Sequence, residues 1–115
     1  MTLRIIRSAT TRSELAAVAA EQFGDFLKAV VDVARCVMAI GGELHSDEEA
    51  ALLEDGARQH DLWGINLYPA EPKDAWIEFD AVINIRPPQG NRSRGVEDED
   101  LRRTISGIVA ALVPE

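Results

Sequence analysis

An α+β fold is what the sequence predicts, on three observations. Residues 27–33 and 76–86 alternate in the manner of strands. Two capping-box spacings, Thr11/Glu14 and Ser46/Glu49, mark helix starts. A closing stretch repeats Leu101, Ile105, Ile108, Val109 and Leu112 at helical intervals. The expected order is β-α-β-β-α-β-β-α, a mixed, largely antiparallel five-stranded sheet. Its apolar face needs a cover, so the helices are expected on one face, as a two-layer sandwich.

The elements follow in order. Residues 3–7 read as a short strand. Thr11 opens a helix striped by Leu15, Val18, Ala19 and Phe23, and Gly24 stops it. In residues 27–33, Leu27, Ala29, Val31 and Val33 share one face, and Lys28, Val30 and Asp32 the other. A tight connection at Ala34-Arg35 leads into residues 36–40, where Cys36 reads as a buried strand residue, and Gly41-Gly42 ends the strand. Ser46 opens a second helix, with Asp47, Glu48 and Glu49 in its first turn and Gly56 as its stop. Residues 62–68 and 76–86 read as a hairpin, and residues 97–100 open the last helix.

A chain of 115 residues fits one domain, residues 1–115. With a net charge of −8, broad contact with nucleic acid or an anionic membrane face is not expected. No apolar run is long enough for a bilayer span and no secretory signal is recognisable, so a cytoplasmic protein is the expectation. The single cysteine rules out an internal disulfide.

Strand directions sort the polar residues into two groups, one at each end of the sheet. Asp32, His60-Asp61, Arg86 and the loop Gln89-Gly90-Asn91-Arg92-Ser93 fall at one end; Glu43, His45, Tyr68 and Glu71 fall at the other. In the first group, Gly90 brings backbone N–H groups toward an anion, and Arg86 and Arg92 clamp it. Asp32 or Asp61 would orient the guanidinium groups, and His60 would supply a proton. The structural alternative pairs the two arginines with Asp32 and Asp80. In the second group, Glu43, His45 and Asp47 alternate, but one histidine without a second ligand pair makes no metal site. The outward sheet face, with Lys28, Asn66, Tyr68, Trp76, Glu78, Asp80 and Val82, has the mixed composition of an interface or a ligand floor.

Three strings carry a resemblance: residues 38–45 (MAIGGELH), residues 61–69 (DLWGINLYP), and Asn84-Ile85-Arg86-Pro87 with Gly90-Asn91-Arg92-Ser93. Together they resemble a family of small bacterial and archaeal proteins known as a domain of unknown function, number 5674 in that series. The resemblance implies a stand-alone prokaryotic domain and assigns no residue a role. The Ala34-Arg35-Cys36 turn departs from the glycine-containing hairpin expected there.

The functional expectation is a binding module, as a homo-oligomer, that holds a small anionic ligand or an acidic peptide. Its site comprises Arg86, Gln89, Gly90, Asn91, Arg92, Ser93 and Asp32. The alternatives are a hydrolase or phosphate-handling enzyme using His60, or His45 with Glu43, and a protein–protein interaction module. No cofactor is identifiable.

Overall fold

The computed structural model describes residues 3–114. Met1, Thr2 and Glu115, the ends of the expected 1–115 domain, lie outside the described residues. The strands are β1 (Arg4–Ile6), β2 (Leu27–Asp32), β3 (Val37–Ile40), β4 (Leu62–Leu67) and β5 (Ile77–Glu78). The helices are α1 (Arg12–Gln22), α2 (His45–Glu54) and α3 (Glu99–Leu112), with short 3₁₀ turns at Gln59–Asp61, Val82–Asn84 and Pro87–Gln89.

The α+β class and the five-stranded sheet are as expected, with strand order β1-β3-β2-β4-β5 and every neighbouring pair antiparallel. β1 and β2 run the same way, with β3 between them. The helices also distribute differently from the expectation of one covered face. Leu15 and Ala19 of α1 and Ile105 and Val109 of α3 pack with Ala29, Val31, Met38 and Ile65 on one side of the sheet. Leu52 of α2 packs with Val30, Ala39 and Leu62 on the other. The central strands are apolar on both sides, so each side needs a cover.

Local signals explain the helix ends. The Thr11 hydroxyl accepts the Glu14 N–H at 3.1 Å, as the capping box predicts. Asp98 caps α3 by accepting from Asp100 and Leu101. The second box does not form. α2 starts at His45, one residue before the expected cap, and Leu44 supplies no side-chain bond. Glu48 stands in the first turn as expected and is fully buried there.

The connection between β2 and β3 corrects a second expectation. Asp32 Oδ1 accepts the N–H groups of Ala34 and Arg35, and its Oδ2 accepts Arg35 Nε at 2.8 Å. This turn holds Cys36 at φ 57°, so Cys36 is an exposed turn residue, not part of the strand.

The expected long strand over residues 76–86 shrinks to β5, two residues long. The cause is an exchange of side chain for backbone at Gly64. Asn84 Oδ1 accepts the Gly64 N–H at 2.8 Å, and Asn84 Nδ2 donates to the Gly64 carbonyl at 3.0 Å. One buried amide thus takes the place of the next strand's backbone. A Cβ at position 64 would meet Ala81 Cβ at 2.5 Å, so glycine there lets the Ala81–Ile83 segment cross the sheet on the α2 side.

Candidate functional site

The Arg86/Asn91 corner assembles at the end of the sheet where the sequence puts it, and its groups are committed to one another. Arg86 Nη1 donates to the Gln59 carbonyl at 2.6 Å and Nη2 to that of Leu62, while the guanidinium lies 4.1 Å over the Trp63 ring. Burial pulls its pKa below the ordinary arginine value. Asn91 is buried; its Nδ2 donates to the carbonyls of Asn84, Ser93 and Gly95, and its Oδ1 accepts the Glu97 N–H at 2.8 Å. Gly90 supplies the left-handed residue at φ 79° that closes the Pro87–Gln89 turn.

The nest expected at Gly90 does not form, because the Gly90 and Asn91 N–H groups donate to the Pro87 and Arg86 carbonyls; a nest forms two residues on, and a carboxylate of the chain sits in it. Glu97 accepts the N–H groups of Arg92 and Ser93, each at 2.9 Å. Those bonds hold the Glu97 pKa below the ordinary glutamate value. Gln89 Nε2 donates to the His60 carbonyl at 3.1 Å, while the His60 ring, 54% exposed, lies 3.3 Å from Asp61. The Arg92 side chain is exposed. Asp32 is engaged with the β2–β3 turn and Arg35, while Asp80 pairs with Arg94 at 2.6 Å. The carboxylates expected to face Arg86 and Arg92 therefore hold other arginines.

A different region is open. Between the start of α2 and the segment after β5 lies a groove of about 560 Å³, a volume suited to a small ligand. Its floor is the α2 side of the sheet, where Lys28 of β2, Asn66 of β4 and Glu78 of β5 stand directly across from one another. His45 and Leu44 form one wall, Asp80, Val82 and Arg94 the other, and Phe26 and Tyr68 close the end. The Phe26 and Tyr68 rings stack with centroids 5.3 Å apart.

The chemistry of the floor is specific. Asn66 is 7% exposed. Its Nδ2 donates to Glu78 Oε1 at 2.9 Å and to the Asp80 carbonyl at 3.3 Å, which fixes the amide's orientation. Its Oδ1 is buried without a hydrogen bond, and the His45 ring is the polar side chain beside this amide. Such an orphan acceptor costs roughly 1–3 kcal/mol, and sites that meet a ligand are where that cost is tolerated. His45 Nε2 donates to the Ile65 carbonyl at 2.8 Å. The neutral ring therefore carries its proton on Nε2 and keeps Nδ1 as an acceptor. Burial lowers the His45 pKa, so the ring is neutral at pH 7 and can take a hydrogen bond or a proton. Position 64 matters here too, since a Cβ would come within 3.1 Å of His45 Cδ2.

Glu43 is exposed and lines an adjoining hollow of about 440 Å³ with Phe23, Lys28 and Leu44. Among the described residues, no group of three His, Cys, Asp or Glu side chains is placed to hold a metal ion.

Comparison with known proteins adds a family. The model described as Protein of unknown function (DUF5674) matches residues 4–112. The chain belongs to that family. No curated protein and no solved structure matches it. The family match covers both the corner and the groove and carries no activity with it, so a functional reading of either rests on geometry. Among the described residues no helix is long and apolar enough to cross a membrane.

The sequence separated His45 and Tyr68 from the arginine corner, and the structure keeps them apart. It did not single out Asn66 and Lys28 as site residues. Their signal was the alternation that put Lys28, Asn66, Tyr68 and Glu78 on the outward sheet face, a composition suited to a ligand floor.

Proposed function

We propose that this protein is a binding module for a small molecule bearing an acidic group, held in the groove beside the α2 N-terminus. The observation that carries this reading is the buried, donor-less Oδ1 of Asn66 on the groove floor. Lys28 supports the acidic part. It has no carboxylate within ion-pair distance among the described residues, and its ammonium lies 5.1 Å from the Phe23 ring centroid. The start of α2, without a side-chain cap, adds its positive dipole end beside the same residue. The expected anion corner is the weaker site on this reading, because Glu97 already occupies its N–H groups.

The test is a chemical-shift titration with carboxylates, nucleotides and phosphorylated metabolites, on the wild type, Lys28→Met, Asn66→Ala and Arg92→Ala. Binding should map to residues around Lys28 and Asn66. Lys28→Met should weaken it at least tenfold with an unchanged melting temperature. Arg92→Ala should leave it intact. Binding lost in Arg92→Ala and kept in Lys28→Met would return the site to the arginine corner.

We also propose self-association through β1, which among the described residues pairs with β3 alone and leaves its other edge unpaired. Sedimentation showing a monomer at high protein concentration would remove that proposal.

A further inference from the structure

The groove floor is electrically dipolar, and this narrows the ligand beyond an acidic compound. In the row across β2, β4 and β5, Lys28 stands at one end, the Asn66 amide in the middle and Glu78 at the other end. Neighbouring strands are about 4.8 Å apart, so the two charged residues are separated by roughly 10 Å of backbone. Neither forms an ion pair among the described residues. Glu78 instead accepts uncharged donors, the Asn66 amide and the Tyr68 hydroxyl at 3.3 Å. The other charges on the wall cancel, since Arg94 is paired with Asp80.

A simple anion seated on Lys28 meets the Glu78 carboxylate at the far end of the groove. A simple cation seated on Glu78 meets Lys28 and the positive end of α2. A molecule with opposite charges at its two ends satisfies both and needs no counter-ion. Where Phe26 and Tyr68 close the groove, the edges of their stacked rings offer an apolar surface for methylene groups. Asn66 Oδ1 and His45 Nδ1 are acceptors for an N–H or O–H donor partway along the chain.

We propose that the groove recognises a small zwitterion, an amino acid or a comparable amino-bearing acid. Its acid group sits on Lys28 at the start of α2, and its ammonium group sits on Glu78. The proposal rests on the groove being the ligand site, and the experiment separates the two ideas.

The probes are glycine, γ-aminobutyrate and ε-aminohexanoate, each compared with the matching carboxylate and the matching amine. Binding is read by chemical-shift titration on the wild type, Lys28→Met and Glu78→Gln. The Glu78→Gln side chain keeps a carbonyl oxygen that can still accept from Asn66 and Tyr68, so folding is preserved, and a melting curve checks it. At least one of the longer amino acids should bind tenfold or more tightly than either of its halves. Glu78→Gln should erase the advantage over the carboxylate, and Lys28→Met the advantage over the amine. If the carboxylate binds as well as the amino acid and Glu78→Gln changes nothing, the zwitterion proposal is overturned while the groove remains an anion site. If neither the amino acids nor their halves shift any groove resonance, the zwitterion proposal fails. Should the wider carboxylate and phosphate panel also leave the groove untouched, the groove reading falls with it.

Discussion

The arginine corner and the α2 groove are built from similar residues and end in opposite states. Each has a buried asparagine, arginines or lysine nearby, and carboxylates within reach. At the corner, both ends of the Asn91 amide meet backbone groups, Nδ2 donating to three carbonyls and Oδ1 accepting one N–H, and Glu97 fills the loop nest. In the groove, Asn66 meets partners on its nitrogen alone, and Lys28 and Glu78 have no ion-pair partner among the described residues. The corner leaves only Arg86 Nε without a partner among its buried side-chain groups, and its amide and nest are filled by the chain, whereas the groove's amide acceptor and both its end charges are left open. Residue type does not distinguish the two; the accounting of donors and acceptors does.

The largest effect expected from breaking that contrast comes from truncating the two asparagines in parallel. Asn91→Ala strands three carbonyls and one N–H that the side chain serves. It should cost about 3 kcal/mol, and the melting temperature should fall by about 10 °C. Asn66→Ala strands the Asp80 carbonyl and one donor to Glu78 but also removes an acceptor that has no donor, so its cost should be the smaller of the two, about 1 kcal/mol. Urea unfolding of both variants measures this. Equal losses would mean that the two clusters play the same structural part.

An effect of similar size at pH 7, and one that depends on pH, comes from a carboxyl of α2. Glu48 is fully buried under α2, and its Oε2 accepts the Gly42 N–H at 3.0 Å while Oε1 has no partner. Burial pushes its pKa up to about 9, so the folded protein keeps this carboxyl protonated at pH 7. The unfolded chain releases that proton near pH 4.5, the ordinary value. Between those limits the folded state binds more protons, so stability is full below about pH 4.5 and declines as pH rises toward 9. At pH 7 the loss is on the order of 3 kcal/mol. Glu48→Gln does not titrate and can still accept from Gly42. Its melting temperature should lack the decline the wild type shows from pH 4.5 toward 9, lying below the wild type in acid and above it near pH 8. Parallel curves for the two proteins would mean that Glu48 is ionised in the fold.

Much of this architecture was legible because it rests on local rules. The Thr11 cap, the stops at Gly24 and Gly56 and the α3 stripe each depend on residues within a turn or two. The short β5 was not legible, because it depends on Asn84 reaching Gly64, 20 residues away, and a side-chain amide leaves the same alternating pattern as a strand. The burial of Glu48 was hidden for a related reason. An acidic first turn normally signals a solvated helix start, and the close fit of Gly42 against Glu48 exists only after folding. At the corner, the sequence marked the right loop for a nest and could not show that Glu97, four positions past Ser93, would enter it. The groove needed the β2–β4 and β4–β5 registers, which bring Lys28, Asn66 and Glu78 into one row.

The smallest expected effect is also the most direct exchange of the two states: emptying the nest. Glu97→Ala removes the carboxylate from the Arg92 and Ser93 N–H groups and leaves the exposed Arg92 guanidinium beside them. Oriented N–H groups in a loop next to an arginine form an anion site once nothing of the chain fills it. The variant should melt slightly lower than the wild type near neutral pH, and the difference should shrink in acid. Glu97 holds a lowered pKa, so its contribution is present above the ordinary glutamate value and lost as pH falls through the lowered one. Millimolar sulfate should then raise the melting temperature of Glu97→Ala by about 2 °C relative to sodium chloride of equal ionic strength, and leave the wild type unmoved. Sulfate stabilising both proteins equally would mean that the anion acts elsewhere, with the groove's Lys28 as the first place to look. Sulfate stabilising neither would mean that the nest takes its shape from Glu97 and collapses without it, which makes the carboxylate a part of the loop's fold and not a stand-in for a ligand.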